Sequence, residues 1–256
     1  TSAVVMPAKI DDAFMKVQWQ DADRVELAWV QMESHEERVK EMRRLLEKDP
    51  PAPMWVQQKN PGEAPFQARQ EYGCPPAMRE AADFTIQKMI DAGKIKKVDF
   101  DHELWIVNVF FQGKGRNHPP PHEDMEVLRA LFDFSIPNAQ LTFPGFWREY
   151  APVVERMLSN IPMDWEFFVV LDLTGAFETC PIAEGSQRFF CCKWRGAIYM
   201  WLFCPQGAAA SAHYFPVHMT QLFNILFKQH WERWWRGFQD DYTVGASTKE
   251  RAQGRK

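Results

Sequence analysis

The sequence predicts an α+β fold with helices on one face of a sheet, and three observations carry that prediction. Stretches with apolar residues at steps of three and four occur along the chain, as amphipathic helices require. Short aromatic and β-branched runs lie among them, so strands and helices are interspersed. The 256 residues, 46% apolar and 25% charged, suffice for a sizeable core in one large or two small domains. Eleven Trp and 20 Phe make that core unusually aromatic. This composition excludes a disordered, collagen-like or disulfide-scaffold chain.

Val25, Ala28, Trp29, Met32, Val39, Met42, Leu45 and Leu46 fall at helical spacing and predict one amphipathic helix over 23–48, ended by Asp49-Pro50-Pro51. An apolar stripe of that length needs a cover, either this chain or a partner protein or second copy. Pro and Gly crowd residues 49–76, which read as an extended connector. Met78, Ala82, Ile86, Met89 and Ile90 then predict a helix over 76–93 with Gly93 as its C′ residue.

LWIVNVFF, 104–111, and VLRALFDF, 127–134, read as the strands of a long hairpin whose tip is Gln112-Gly113-Lys114-Gly115-Arg116. FFVVLDL, 167–173, has the continuous apolar character of a buried central strand. RFFCCKW and AIYMWLF straddle Arg195-Gly196 as a tight hairpin. A helical stretch from about 211 to 236 follows Pro205-Gln206-Gly207 and contains Pro216. Asp240-Asp241 then lies between two short apolar runs.

No apolar run approaches the roughly 20 residues that span a bilayer, because Asp172, Lys193, Arg195 and Pro205–Gly207 interrupt the richest stretches. Five Cys at irregular spacing form no CxxC pair, and the N-terminal residues lack the pattern of a signal peptide. An intracellular, reducing compartment is therefore expected, with cytoplasm and nucleus not distinguished. The net charge of −4 conceals a basic end: residues 185–256 hold ten basic and four acidic side chains. That block is a weak pointer to a polyanionic ligand, and solvated charge is the commoner explanation.

Chemistry concentrates on carboxylates. Asp172 ends an apolar strand, and Asp240-Asp241 sits at a hairpin tip, so the intervening hairpin and helix can return the two strand ends side by side. Carboxylates gathered without Lys or Arg repel one another unless a divalent cation lies among them, and Mg²⁺ suits such oxygen donors better than zinc. Two such ions roughly 4 Å apart perform in-line phosphoryl transfer. Taken alone, Asp-Asp in a turn is also ordinary turn chemistry. His118 and His122 have no third ligand nearby, and Cys191-Cys192 on one strand point to opposite faces, so neither pair forms a zinc site. Trp231, Trp234 and Trp235 have helical spacing and read as packing, with base stacking as the alternative.

Taken in order, these segments resemble the reverse transcriptases of retrotransposons and retroviruses. APFQARQEYGCPPAMREAADFTIQKMIDAGKI resembles the segment leading into their fingers, and LWIVNVFFQGKGR with VLRALFDFSIPN resembles their fingers hairpin. VVLDLTGAF is similar to the strand with the first catalytic Asp, RFFCCKWRGAIYMWLFCPQGAAASAHYF to the hairpin and nucleotide-side helix, and FQDDYTVGAST to the catalytic hairpin. The resemblance implies the fingers and palm of a right-hand polymerase, with an antiparallel palm sheet. It implies a helix and Pro-rich connector over 1–60, a fingers-like region over 61–150 and a palm-like region over 151–256.

The resemblance also implies roles. Asp172, Asp240 and Asp241 become a catalytic, metal-holding triad, with the carbonyl of Leu173 as a further ligand for two Mg²⁺ or Mn²⁺ ions. Phe177 falls where a bulky ring excludes a ribose 2′-OH; on periodicity alone it is equally a core residue. Gln206 and Gly207 match the segment lining the incoming nucleotide, and Lys114 and Arg129 match positions that clamp its triphosphate. Without the resemblance, Gly207 is a turn glycine and Lys114 a solvated loop lysine.

Several positions depart from the family's pattern. Ser211-Ala212 stands where Ser-Pro is common, and Pro216 is placed to kink the helix that follows. Ser135 stands where Arg is common, two places after Asp133. Phe238 and Gln239 replace the usual Tyr and Val or Met before the paired aspartates. Fifteen residues follow Asp241, so no thumb is expected within these residues.

The expected function is RNA-directed DNA synthesis by a retroelement's polymerase core, inactive alone if a thumb is essential. The expected partners are a primed RNA or DNA template and a dNTP, with no membrane. The alternative is a truncated or domesticated, catalytically inactive scaffold that binds RNA or protein. An unrelated metal nuclease explains the carboxylates but not the fingers strands.

Overall fold

The protein is described by a computed structural model for residues 34–113, 128–150, 161, 163, 166–173, 175–227, 235–238 and 241–246. The chain divides into two compact units. The first comprises 1–52, 148–179 and 215–256; the second comprises 53–147 and 180–214. The segment 180–214 groups with 53–147.

In the first unit, α1 (His35–Lys48) is the described part of the helix expected over 23–48. It begins at His35, because Ser34 is extended (φ −94°, ψ 145°) and its side chain accepts the Glu37 N–H at 3.2 Å. Ser34 and Glu37 have the Ser-x-x-Glu spacing of a capping box. Trp29 and Met32 lie outside the described residues. Met42 and Leu46 are buried by the chain itself, and Val39 is half-buried.

The second unit holds β1 (Gln57–Gln58), a 3-10 turn at Pro76–Met78, α2 (Arg79–Asp91), β2 (Ile95–Val98), β3 (Ile106–Gly113) and β4 (Leu128–Phe132). α2 ends as the sequence expects: Gly93 (φ +68°) donates to the Ile90 carbonyl and Lys94 to that of Met89, which satisfies carbonyls the last turn leaves open. Next come α3 (Ser135–Gln140) and β5 (Leu141–Thr142), which pairs with β1. The unit closes with α4 (Glu184–Gln187), β7 (Cys191–Trp194) and β8 (Ala197–Trp201). Its main sheet has the order β2-β8-β7-β3-β4, antiparallel except for β3 against β7.

β3 and β4 form the expected long hairpin, with Val109 opposite Phe132 and Gly113 opposite Leu128. β7 and β8 turn through Arg195 (φ +49°) and Gly196 (φ +76°), the two left-handed positions of a type I′ hairpin. Glu71 accepts both turn amides, at 2.8 Å from Arg195 and 2.7 Å from Gly196. Asp83 accepts the Trp194 indole N–H at 2.8 Å and also bonds the Arg195 guanidinium. Thus α2 and the chain before it are tied to the turn. Edge-to-face aromatic pairs fill the core: Trp105 with Phe189 at 5.6 Å, Phe132 with Trp201 at 5.0 Å and Phe134 with Phe190 at 5.9 Å.

Strand β2 was not singled out from the sequence, because Lys96 and Lys97 hide its pattern. Ile95 is buried, both lysines are exposed, and the strand lies at one edge of the sheet.

The other sheet, in the first unit, contains β6 (Phe167–Asp172), β9 (Trp235–Phe238) and β10 (Asp241–Ala246) in the order β6-β10-β9, all antiparallel. β6 is therefore an outer strand among the described residues, not the buried central strand its composition suggests, and Val170 is 66% exposed. α5 (Ala209–Phe227) starts in the second unit and ends in the first. Pro216 lies inside it without ending it; Ala212, whose carbonyl loses the Pro216 N–H, is exposed. The expected helix does not continue to 236. Trp235–Phe238 is a strand, so the helical spacing read for Trp235 does not hold, while Trp231 and Trp234 lie outside the described residues. Among the described residues, no helix is long and apolar enough to cross a membrane.

Candidate active site

In the first unit, an apolar strand delivers Asp172 to its last position, and the β9–β10 hairpin delivers Asp241 to the first position of its second strand. The register sets Asp241 directly opposite Asp172, and Asp241 also opposite Phe238 on the other side. Cross-strand partners in an antiparallel ladder share a face, with Cβ atoms roughly 4.5–5.5 Å apart. The next rung, facing the other side of the sheet, places Tyr242 between Leu171 and Gly237, and the rung beyond it, back on the face of Asp241, places Thr243 between Val170 and Arg236. Asp240 lies outside the described residues. Leu173 follows the strand end and is half-buried.

Those oxygen donors, without thiol or imidazole beside them in the ladder, match the preference of Mg²⁺ for carboxylates. Among the described residues, no group of three or more His, Cys, Asp or Glu side chains could hold a metal ion.

Phe177 sits in a 3-10 turn, Ala176–Thr179, and is half-buried. Its ring packs against Phe215 at 5.2 Å and 49°. One face of the ring is thus a packing contact, which accounts for the periodicity that made it a core candidate.

The second unit carries three of the positions expected on the nucleotide side. Arg129 is exposed on β4 opposite Gln112, near the end of the hairpin, while Lys114 lies outside the described residues. Gln206 is exposed. Gly207 adopts φ +96°, which side chains rarely tolerate, and a Cβ there would stand 3.4 Å from the Phe132 carbonyl. β4 and the turn before α5 therefore approach each other closely.

At the end of β4, Asp133 carries a small network. One carboxylate oxygen accepts the Ser135 hydroxyl at 2.6 Å and the Ser135 N–H at 3.2 Å; the other accepts the Tyr72 hydroxyl at 2.6 Å. The Ser135 hydroxyl, then the Tyr72 hydroxyl, hold the Asp133 carboxyl below its ordinary range. The same carboxylate raises the Tyr72 phenol. Beyond it, Asn138 donates to the Gly207 carbonyl at 3.1 Å and accepts the Ala209 N–H at 2.8 Å. Sequence reasoning passed over Asn138, since nothing local marks a partner 69 residues away.

The reverse transcriptase (RNA-dependent DNA polymerase) family matches residues 128–255, half of the 256-residue chain. The match takes in β4, α3, the opposed aspartate positions and the turn at Gly207. The chain belongs to that family of RNA-directed DNA polymerases. It is also 37% identical over 73 residues to the Gag-Pol polyprotein of Walleye dermal sarcoma virus, a stretch covering 28% of this chain and 4% of the polyprotein. That relative supports a reverse transcriptase domain of retroviral or retrotransposon type.

Proposed function

We propose that the chain is the RNA-directed DNA polymerase core of a retroelement, built on the fingers and palm of a right-hand polymerase. The second unit supplies the fingers-like part and the first the palm-like part. The observation that carries the reading is the register of Asp241 against Asp172. Two aspartates at directly opposed ladder positions repel each other unless a cation lies between them.

In this reading Asp172, Asp240, Asp241 and the Leu173 carbonyl hold two Mg²⁺ ions, for which Mn²⁺ can substitute. When bound, the ions supply charge stabilisation for the attacking and leaving oxygens. Lys114 and Arg129 hold the triphosphate of a dNTP, and Gln206 and Gly207 line its other side. Phe177 excludes a 2′-OH by the volume of its ring. The primer 3′-oxygen bonds to the α-phosphorus, the bond from that phosphorus to the bridging oxygen breaks, and pyrophosphate leaves. The hydroxyl proton passes to solvent.

Primer extension on an RNA template with Mg²⁺ and dNTPs tests the reading. The wild-type chain is expected to extend the primer, and Asp172→Asn or Asp241→Asn to abolish extension with the circular dichroism spectrum unchanged. Extension that survives both substitutions would overturn it.

A second reading, an inactive scaffold for RNA or protein, is favoured by one observation. Ser135 stands where the family commonly has Arg, and its hydroxyl is held by Asp133, so the position offers no cation. RNA binding by a folded wild-type chain that extends no primer under any of these conditions would select it.

A further inference from the structure

The geometry points to Asn138 as a positioning residue that sets the Gly207 turn for the nucleotide, an inference that rests on the polymerase reading. Its amide makes two complementary bonds to backbone groups two residues apart: Nδ2 donates to the Gly207 carbonyl at 3.1 Å, and Oδ1 accepts the Ala209 N–H at 2.8 Å. A carbonyl partner and an N–H partner together fix which end of the amide is which. Ala209 is the first residue of α5, where a backbone N–H has no partner inside the helix. Asn138 therefore caps α5 from another element while it clamps the carbonyl before the helix.

The clamp has firm footing. The Asn138 N–H donates to the Phe134 carbonyl at 2.8 Å, and Pro137 beside it is buried. Asp133 fixes the start of α3 through Ser135 and is itself held by Tyr72. Hydrogen bonds thus run from Tyr72 through Asp133 and α3 to the carbonyl of Gly207. The turn they reach holds Gly207 at φ +96°, a conformation that suits glycine, and has no side chain of its own to hold it. An external amide is the device that keeps such a turn in one conformation, and the chemistry it serves is recognition of a nucleoside triphosphate.

The two bonds can be separated by substitution. Asn138→Asp keeps the acceptor for Ala209 but loses the donor to Gly207, whose carbonyl then faces a carboxylate oxygen. Asn138→Ala loses both. The experiment uses the full chain, with dTTP incorporation on poly(rA) primed by oligo(dT) and amide hydrogen exchange measured over 205–212. Asn138→Ala is expected to speed exchange in that segment and raise the KM for dTTP by about five- to tenfold, the scale of one or two lost hydrogen bonds. The value of kcat and the affinity for primer-template should stay within about twofold, a split that a general loss of fold would not give. Asn138→Asp should keep the Ala209 amide protected and still raise the KM, and it serves if the alanine variant does not fold. Unchanged exchange in Asn138→Ala, or a KM that moves no more than kcat, would overturn the inference. A wild-type chain that neither extends a primer nor binds dTTP would remove the polymerase reading and the nucleotide role of Asn138 with it, while exchange still reports whether the amide holds the turn.

Discussion

Asp241 stands directly across the antiparallel ladder from Asp172, one strand entering at that rung as the other leaves. Like charges at opposed positions destabilise a sheet, by roughly 0.2–1 kcal/mol for an ordinary pair. The pair therefore makes a prediction independent of catalysis. Without divalent cations, Asp241→Asn should melt slightly above the wild type. Added Mg²⁺ should raise the wild-type Tm and leave that of the variant nearly unchanged, since a ligand stabilises only the state that binds it. Differential scanning fluorimetry with and without Mg²⁺ measures both shifts.

Phe177→Ala separates two roles of one ring. If the ring excludes a 2′-OH, the ratio of kcat/KM for dNTP over rNTP should fall by tenfold or more in a folded variant. Loss of the Phe215 contact should also lower stability by about 1–3 kcal/mol, less than for a fully buried ring because Phe177 is half-exposed. Lower stability with unchanged discrimination would make Phe177 a packing residue alone.

Ser34→Ala removes the side-chain acceptor for the Glu37 N–H. Urea denaturation should find a loss of about 1 kcal/mol, the usual cost of a lost N-cap, with the m-value unchanged.

The Asp133 network gives a pH dependence with a definite sign. The folded carboxyl lies below its ordinary range, held there by the Ser135 and Tyr72 hydroxyls, so the unfolded chain takes up the proton first as pH falls. The stabilisation is complete above the ordinary aspartate pKa of about 4 and is lost as pH drops through the folded value. In Ser135→Ala the carboxyl should titrate closer to that ordinary range. Carboxyl ¹³C shifts followed from pH 2 to 6 report the change.

Burial ranks the thiols. Cys180, Cys191, Cys192 and Cys204 are buried and Cys74 is half-buried; burial pushes the Cys191 thiol up to about 12. Iodoacetamide at pH 8 should modify Cys74 first in the native protein and reach the other four only with denaturant. Peptide mass mapping reads the order.

Much of the fold was legible because its signals are local. The β3–β4 hairpin, the Arg195-Gly196 turn and the Gly93 helix end each follow from residues within a few positions of one another. The family was legible because its motifs keep their order along the chain. Errors arose where composition was taken for position: Phe167–Leu171 is apolar enough for a central strand, yet among the described residues β6 lies at the outside of its sheet, where neighbours rather than composition decide. Ser34 shows the opposite failing, since its capping box was present in the sequence and outweighed by a continuous apolar stripe. At the candidate site, the aspartates announced themselves by type. Asn138 did not, because its importance lies in two backbone partners supplied by a distant turn.

Strand β2 has a consequence for the behaviour of the molecule in crowded solution. An outermost strand offers a ladder of peptide groups to any other extended chain, and this one has only four residues, two of them the exposed Lys96 and Lys97. Docking a second strand along it would bring ammonium groups of the two chains together, so two copies of this edge repel before they can zip. The lysines that concealed the strand from its sequence pattern also guard it against amyloid-like growth. Replacing both by threonine would retain strand propensity while removing that guard, and would turn a quiet margin of the sheet into a seed for self-assembly.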